Sequence, residues 1–522
     1  MRLLFYLGLI CVSFTLYAQT PEFISGQLLD AQTAQPIPFA TIKIKNENKG
    51  LISNEDGGFR VPLNFKERGD TLVISFIGYT TREVLLSELD TTQINRILLK
   101  ERIEQLGEVR LRTRTKPSQR LRSAKDIVNR AIKDIPLNYP QQPFSYLGYY
   151  RDYQKKGAQY LNLNEALLEV FDLGFGSIDF HGTQTRIYRY ENNANFPKDS
   201  LAARPYDYIN KNKVIDNAVL DNRGGNEYTL LRLHDAIRNH QINSFDYVNK
   251  LSEDFIEQHE FEFLPPSSVN EVPLYAIKLQ KSIGNIRVQG TIYISQTDFK
   301  IYKLEYRVRE SANNIIVKGM PDRQDPSSGR TLYEIIVEYQ EREGLMYPNY
   351  ISFFNTFKVL QPPKFTITDV RVNLEERCFE LQFNTPPDPD DAVKKRFYRL
   401  AYQGVRMRLD RAELRDQTVL LYPKDPELIF DPKRIVSLQR LNGQGLTVDV
   451  RSIEDTQGNK IFVQSMETYN QYREFFVQEL KLNPFKPLDN RYMRNTQPMH
   501  RDQPIVELDN IDEYWLNTPL KN

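Results

Sequence analysis

Apolar and polar positions alternate along much of the chain. Over residues 301–309, Tyr302, Leu304, Tyr306 and Val308 fall on one face while Lys303, Glu305, Arg307 and Arg309 fall on the other, the period-two pattern of a half-buried antiparallel strand with its polar face in water. Tyr333, Ile335, Val337 and Tyr339 repeat it. With turns at 297–300 and 341–344, residues 273–357 read as a β-meander. Nearer the start, short runs at 23–29, 39–45, 58–63, 71–76 and 96–99 are separated by Pro36-Ile37-Pro38, by 54–58 and by Gly69-Asp70, which predicts a small β-sandwich. Ile42, Ile44, Val61, Val73, Ile74 and Ile77 supply its apolar faces. Two segments carry spacings of three and four. Residues 123–135 form an amphipathic helix with Ser123 at the N-cap and Asp126 at the third helical position. Residues 464–480 form a second, with Met466, Tyr469, Tyr472, Phe475, Phe476 and Leu480 on one docking stripe.

Composition narrows the class. A chain of 522 residues predicts about three units. Hydrophobic residues at 40%, charged residues at 26% and a mean hydropathy of -0.54 describe a globular protein with ample core, not a disordered or multi-span helical one. Thirty Tyr and 29 Phe against one Trp favour strands. With 69 basic and 68 acidic residues there is no basic excess, so a nucleic-acid partner is not expected.

Residues 1–18 read as a secretory signal. Arg2 precedes a short apolar run, Ala18 stands at the cleavage position, and the mature chain is expected to begin at Gln19. Cys11 leaves with the signal, and Cys378 alone cannot close an intramolecular disulfide. Residues 101–122 read as a basic linker: Arg110, Arg112, Arg114, Lys116, Arg120 and Arg122, with Lys125 just beyond, have no acid among them. The plain reading is a solvated tether, expected to be cut first by trypsin; the sharper one is peripheral contact with acidic lipid.

Chemistry-bearing residues are sparse. His259 and Glu262 give one His-x-x-Glu pair, but the later histidine, His500, lies in a polar tail, and zinc needs three ligands on a rigid frame. No metal is therefore expected, and His259→Ala should be nearly neutral. His234 and His240 read as surface histidines, and Asp388, Asp390 and Asp391 as a solvated turn lacking the Gly and Glu of a calcium loop. The chain holds no Gly-x-Ser-x-Gly elbow and no phosphate loop, and 174–177 reads as a plain loop. No catalytic, cofactor-binding or metal residue is assigned, and no cofactor is expected.

The segments ISGQLLDAQTAQPIPFATIKI, SNEDGGFRV and DTLVISFIGY resemble the carboxypeptidase-regulatory-like domain, a prealbumin-type sandwich of secreted and outer-membrane proteins of the Bacteroidetes. Gly26, Asp30, Pro36, Ala40, Thr41, Asp56, Gly57, Phe59, Gly78 and Tyr79 stand where that pattern wants them. Residues 103–109 resemble the segment that follows this sandwich in TonB-dependent receptors, though no plug or barrel comes next. GYYRDY at 148–153 resembles a Bacteroidetes family that couples the sandwich to a β-rich module. The meander resembles the half-open barrel of periplasmic lipoprotein carriers, which leaves two readings: an open sheet with a packed apolar face, or a ligand-holding cavity.

The expected fold is therefore mainly β: a prealbumin-like β-sandwich followed by an open, half-barrel-like antiparallel sheet with packing helices. The expected boundaries are 1–18 signal, 19–100 sandwich, 101–122 linker, 123–385 β-rich module and 386–522 α+β extension with a polar tail. The expected function is non-catalytic binding or assembly in the periplasm or at the outer membrane, with an unidentified envelope protein or a lipid as partner. The alternative is a hydrolase of peptides or glycans with carboxylates in a cleft.

Overall fold

The computed structural model describes residues 23–517 apart from 48, 103–122, 242–253, 311–328, 403, 432–445, 483, 485 and 488. The expected signal and the basic linker, with Arg110 to Arg122, lie outside the described residues. The chain forms two compact units, Met1–Phe357 with Tyr469–Asn522, and Lys358–Thr468. The sandwich thus shares a unit with the large sheet.

The sandwich is built from β1 Phe23–Asp30, β2 Thr41–Ile44, β3 Gly50–Ile52, β4 Gly58–Pro62, β5 Thr71–Ser75, β6 Arg82–Leu85 and β7 Asn95–Leu99. Its two sheets run β4-β1-β7 and β3-β2-β5-β6, with β1 and β7 parallel. Ile24, Leu28, Ile42, Ile44, Phe59, Val61, Leu72 and Ile74 fill the space between them. Two residues of the motif are explained by geometry. Gly57 holds φ at +74°, and a Cβ on Gly26 would sit 2.3 Å from the Phe59 ring. Val73 and Ile77, expected in this core, are half-buried and face outward.

The remaining strands of the chain are β8 Phe144–Lys156, β9 Gln159–Asp172, β10 Thr183–Asn192, β11 Lys213–Val214, β12 Glu260–Phe263, β13 Ser267–Val269, β14 Val272–Ile283, β15 Ile286–Ser295, β16 Ile301–Glu310, β17 Arg330–Arg342 and β18 Leu345–Gln361, then β19 Ile367–Asn373, β20 Cys378–Phe383, β21 Tyr398–Tyr402, β22 Val405–Met407, β23 Leu409–Arg415, β24 Thr418–Pro423, β25 Leu446–Val450 and β26 Ser465–Lys481. The large sheet has the order β10-β9-β8-β26-β18-β17-β16-β15-β14-β12, with β11 on β18 and β13 on β14. It is open and antiparallel, as the meander predicts.

Strand β26 is the segment expected as a helix. Its aromatic stripe also fits period two: Tyr469, Gln471, Arg473, Phe475 and Val477 take one face, and Glu474, Phe476 and Gln478 the other, all buried. Pairing with β8, Phe475 opposite Tyr150 and Phe476 opposite Tyr149, satisfies its backbone and buries both faces, which outweighs the helical spacing.

One face of the large sheet is covered by the chain's own rings. Tyr228, on the helix Glu227–Leu233, lies 5.2 Å from Tyr150 and 5.5 Å from Phe475; Tyr139 meets Tyr339 at 5.2 Å. The helix Ala124–Lys133 begins in the expected capping box, Ser123 with Asp126, and buries Ile127, Val128, Ala131 and Ile132. The second unit is a smaller pair of sheets, β19-β20-β24-β23 and β22-β21-β25, around Phe365, Phe379, Leu381, Val419 and Leu421. Asp388 caps its short helix Pro389–Ala392, Asp390 is exposed, and Cys378 is buried.

Candidate functional site: the cleft between sandwich and sheet

The opposite face of the large sheet carries the polar set of the meander, and the sandwich sits on it. Ile336, Tyr350, Phe476 and Trp515 join the sandwich core cluster. A buried ion pair fixes the contact. Arg151 on β8, 2% exposed, donates from Nε to Glu474 Oε2 on β26 at 2.5 Å and from Nη1 to Asn54 Oδ1 at 2.6 Å and to the Asn517 carbonyl at 2.9 Å. Tyr350 adds its hydroxyl to Glu474 at 2.8 Å. The C-terminal segment is the third party: Trp515 Nε1 donates to the Arg60 carbonyl on β4 at 3.1 Å, and Asn517 Nδ2 to the Ile52 carbonyl at 3.0 Å. These bonds fasten the sandwich to the sheet.

Beside this contact the two layers part into a cleft with two lobes. The first, about 370 Å³, is walled by Lys43, Ser75 and Ile77 of the sandwich and by Tyr302, Glu338 and Arg342 of the sheet. The second, about 480 Å³, lies between Phe39 and Phe76 on one side and Lys303, Glu305, Arg307 and Glu334 on the other. The sheet wall is amphipathic because Lys303, Glu305 and Arg307 of β16 and Glu334, Glu338 and Arg342 of β17 line it together with Ile336 and Tyr302. Lys303, expected in water, is drawn in under the overlying sandwich, whereas Arg307 stays half-exposed. Lys303 is 3% exposed, pairs with Glu305 at 2.8 Å and lies 5.2 Å from the Phe76 ring; Arg307 grips Glu334 through two bonds of 2.6 Å.

The ring-covered face holds two polar clusters that sequence reasoning missed. Arg238 takes Asp172 with two bonds of 2.8 Å and pins the 174–177 loop through the Gly174 and Ser177 carbonyls, while Arg232 pairs with Asp179 at 2.8 Å. A space of about 30 Å³ remains among Tyr146, Asp179, Tyr228, Arg232 and Asp235, and burial pushes the Asp235 carboxyl up to about 6. The second cluster is Asp152, Glu227, Arg473 and the fully buried Lys213. Burial, with Glu227 nearby, raises Asp152 to about 7, and burial brings Lys213 down to about 8. Asp152 and Glu227 border a space of about 40 Å³, the size of a water. Both carboxylates are engaged: Asp152 by Tyr150 and Asn164, Glu227 by Arg473.

His234, His240 and His259 are all buried. His259 is buried, its Nδ1 3.0 Å from the Phe255 carbonyl and its Nε2 2.9 Å from the Tyr306 hydroxyl, whereas Glu262 is exposed beside Lys278. His234 and His240, expected on the surface, are 1% and 5% exposed, His234 stacking on Phe353 at 4.1 Å, because the segment after Glu227–Leu233 packs under the sheet. Among the described residues no group of three or more His, Cys, Asp or Glu is placed to hold a metal ion. Of the cleft residues, the alternation in β16 and β17 was legible; Lys43 and Arg342 carried no sequence signal.

No curated protein matches this sequence. Among solved structures, a LolA superfamily protein of Nitrosomonas europaea aligns at 13% identity over 45% of this chain and 86% of that one with a TM-score of 0.18. A DUF1329 family protein of Desulfovibrio piger aligns at 7% identity over 45% and 86% with a TM-score of 0.19. Residues 24–111, which take in the sandwich strands from the second residue of β1 onward, match the family model of the CarboxypepD_reg-like domain.

Proposed function

We propose that the chain is a non-catalytic binding protein of the cell envelope, exported through residues 1–18, whose ligand lies along the cleft between sandwich and sheet. The observation that carries this reading is the two-lobed cleft itself, with Ile77 beside Lys43, Glu338 and Arg342 in the first lobe and Phe39 and Phe76 beside Lys303, Glu305 and Arg307 in the second. Such walls suit an elongated ligand that carries apolar and polar groups along its length. The regulatory-type sandwich at 24–111 is consistent with binding. The carboxylates most perturbed by burial, Asp152 and Asp235, border spaces of about 40 and 30 Å³, and water-sized spaces favour a structural role over hydrolysis of a polymer.

The test blocks the lobes. Ser75→Trp and Thr291→Trp each place a ring in one lobe from a half-buried strand position. Protein purified from envelope fractions should carry a bound molecule detectable by native mass spectrometry, and each blocked form should lose it. An unblocked protein with nothing bound, or a molecule retained by both blocked forms, would overturn the reading.

A further inference from the structure

We propose that the first lobe of the cleft is an anion site, in which Lys43 of the sandwich and Arg342 of the sheet together take a carboxylate or phosphate group of the ligand. The proposal rests on the cleft being the binding site and names the chemistry found there.

The acids of the lobe are already committed. Glu338 Oε1 accepts from Thr41 Oγ1 at 3.2 Å and from Asn349 Nδ2 at 2.8 Å. Glu341 accepts from Tyr302 at 3.1 Å and pairs with Lys300 at 3.2 Å, and Lys300 also holds Asp298 at 2.8 Å. The bases are not committed in the same way. Lys43 Nζ donates to the Gln340 side-chain carbonyl, a neutral oxygen. Arg342 has no hydrogen-bond or ion-pair partner among the described residues. Two cations therefore line one small cavity, and Arg342 is near enough to bear on the Lys43 amine. Burial, with Arg342 adding and Glu338 opposing, brings that amine down to about 8. Holding two like charges in a partly desolvated cavity is unfavourable, and an anion between them removes the repulsion. The chemistry of the pair suits one. A guanidinium offers a planar fork to two oxygens and an ammonium offers a movable point charge, the combination that holds carboxylates and phosphates. Because Lys43 belongs to β2 and Arg342 ends β17, a bound anion would bridge the two layers and report on their contact.

The test titrates the amine. Lysines are reductively ¹³C-methylated in the full chain, Lys43 is assigned by its missing signal in Lys43→Arg, and its pKa is followed by NMR at fixed ionic strength in chloride while sodium phosphate or sodium acetate is added. A saturable rise of about one unit in the Lys43 pKa is expected, which corresponds to roughly tenfold tighter anion binding by the charged amine. Arg342→Gln should weaken the apparent anion affinity about tenfold with an unchanged unfolding curve. A response to phosphate alone identifies a phosphate group, to acetate alone a carboxylate, and either supports the site. No saturable shift with either salt, or a shift indifferent to Arg342→Gln, overturns it. A molecule that copurifies equally with wild-type protein and Arg342→Gln, without an anion response, sinks the anion site and leaves the cleft reading standing; loss of cleft binding in the blocked forms is judged separately.

Discussion

Arg151→Ala tests what fastens the sandwich to the sheet. The substitution removes one charge-assisted bond to Glu474 and two bonds to neutral acceptors, at Asn54 and Asn517, in a place where none of the partners meets water. The bond between the two charged groups contributes about 1.5–3 kcal/mol and each guanidinium bond to a neutral oxygen at least about 1 kcal/mol, so the three give at least about 4 kcal/mol. Leaving Glu474 buried without its cation falls in the same range, about 3–5 kcal/mol. Trp515, the single tryptophan, packs edge-on against Phe65 at 5.3 Å within this contact, so its fluorescence reads the site directly. Equilibrium urea unfolding at pH 7.5 should show the loss together with a red shift of native-state emission. In a double-mutant cycle, Arg151→Ala with Glu474→Ala should cost clearly less than the sum of the single changes. A loss below about 1 kcal/mol, or additive single losses, would refute the argument that this pair is desolvated and coupled.

Four further outcomes are expected. Burial raises Asp152 from 3.8 to about 7, so the folded state holds the extra proton: stability is full below about pH 4 and falls as pH rises through 7, and Asp152→Asn should exceed wild type by up to about 4 kcal/mol at pH 8 and match it near pH 4 in urea titrations. Burial lowers His259 to about 4, so its contribution is present above pH 6.5 and lost as pH falls toward 4; His259→Ala, expected from sequence to be neutral, should instead cost about 2–3 kcal/mol at pH 7.5 in the same assay. Trypsin in limiting amount should cut between Arg110 and Lys125, yet the two fragments should coelute on gel filtration under native conditions, because Arg151, Asn54 and Asn517 still join them. Burial pushes the Cys378 thiol up to about 11, so it should resist a thiol reagent in native protein and react fully in denaturant.

What the sequence disclosed follows from the range of the interactions. The turn at Asp56-Gly57-Gly58, the capping box of Ser123 and Asp126, and the alternation in β16 and β17 are set by residues within a few positions of one another, and each is where the pattern puts it. Strand β26 was read as a helix because its aromatics satisfy both periods, and the deciding fact, an empty place between β8 and β18, lies more than a hundred residues away. The same holds for Arg151 and Glu474: no residue within a few positions of either announces a pair that forms only when β26 enters beside β8. The cleft was illegible for the same reason. Lys43 and Arg342 meet only through the packing of two layers, so no spacing along the chain announces them.

The place of β26 also sets a timetable. Strands β8 and β18 precede residue 465 in the chain, and until β26 takes its place these two long strands present raw edges toward the middle of the sheet. Free strand edges recruit other strands, so the folding chain is at its most adhesive before β26 is in place. The closing strand also carries Glu474 and Phe476, which contact Arg151 and the sandwich core. A sandwich folded early therefore lacks part of its docking surface until nearly the whole chain has emerged. The protein is assembled from its ends inward, and its central seam is sewn last.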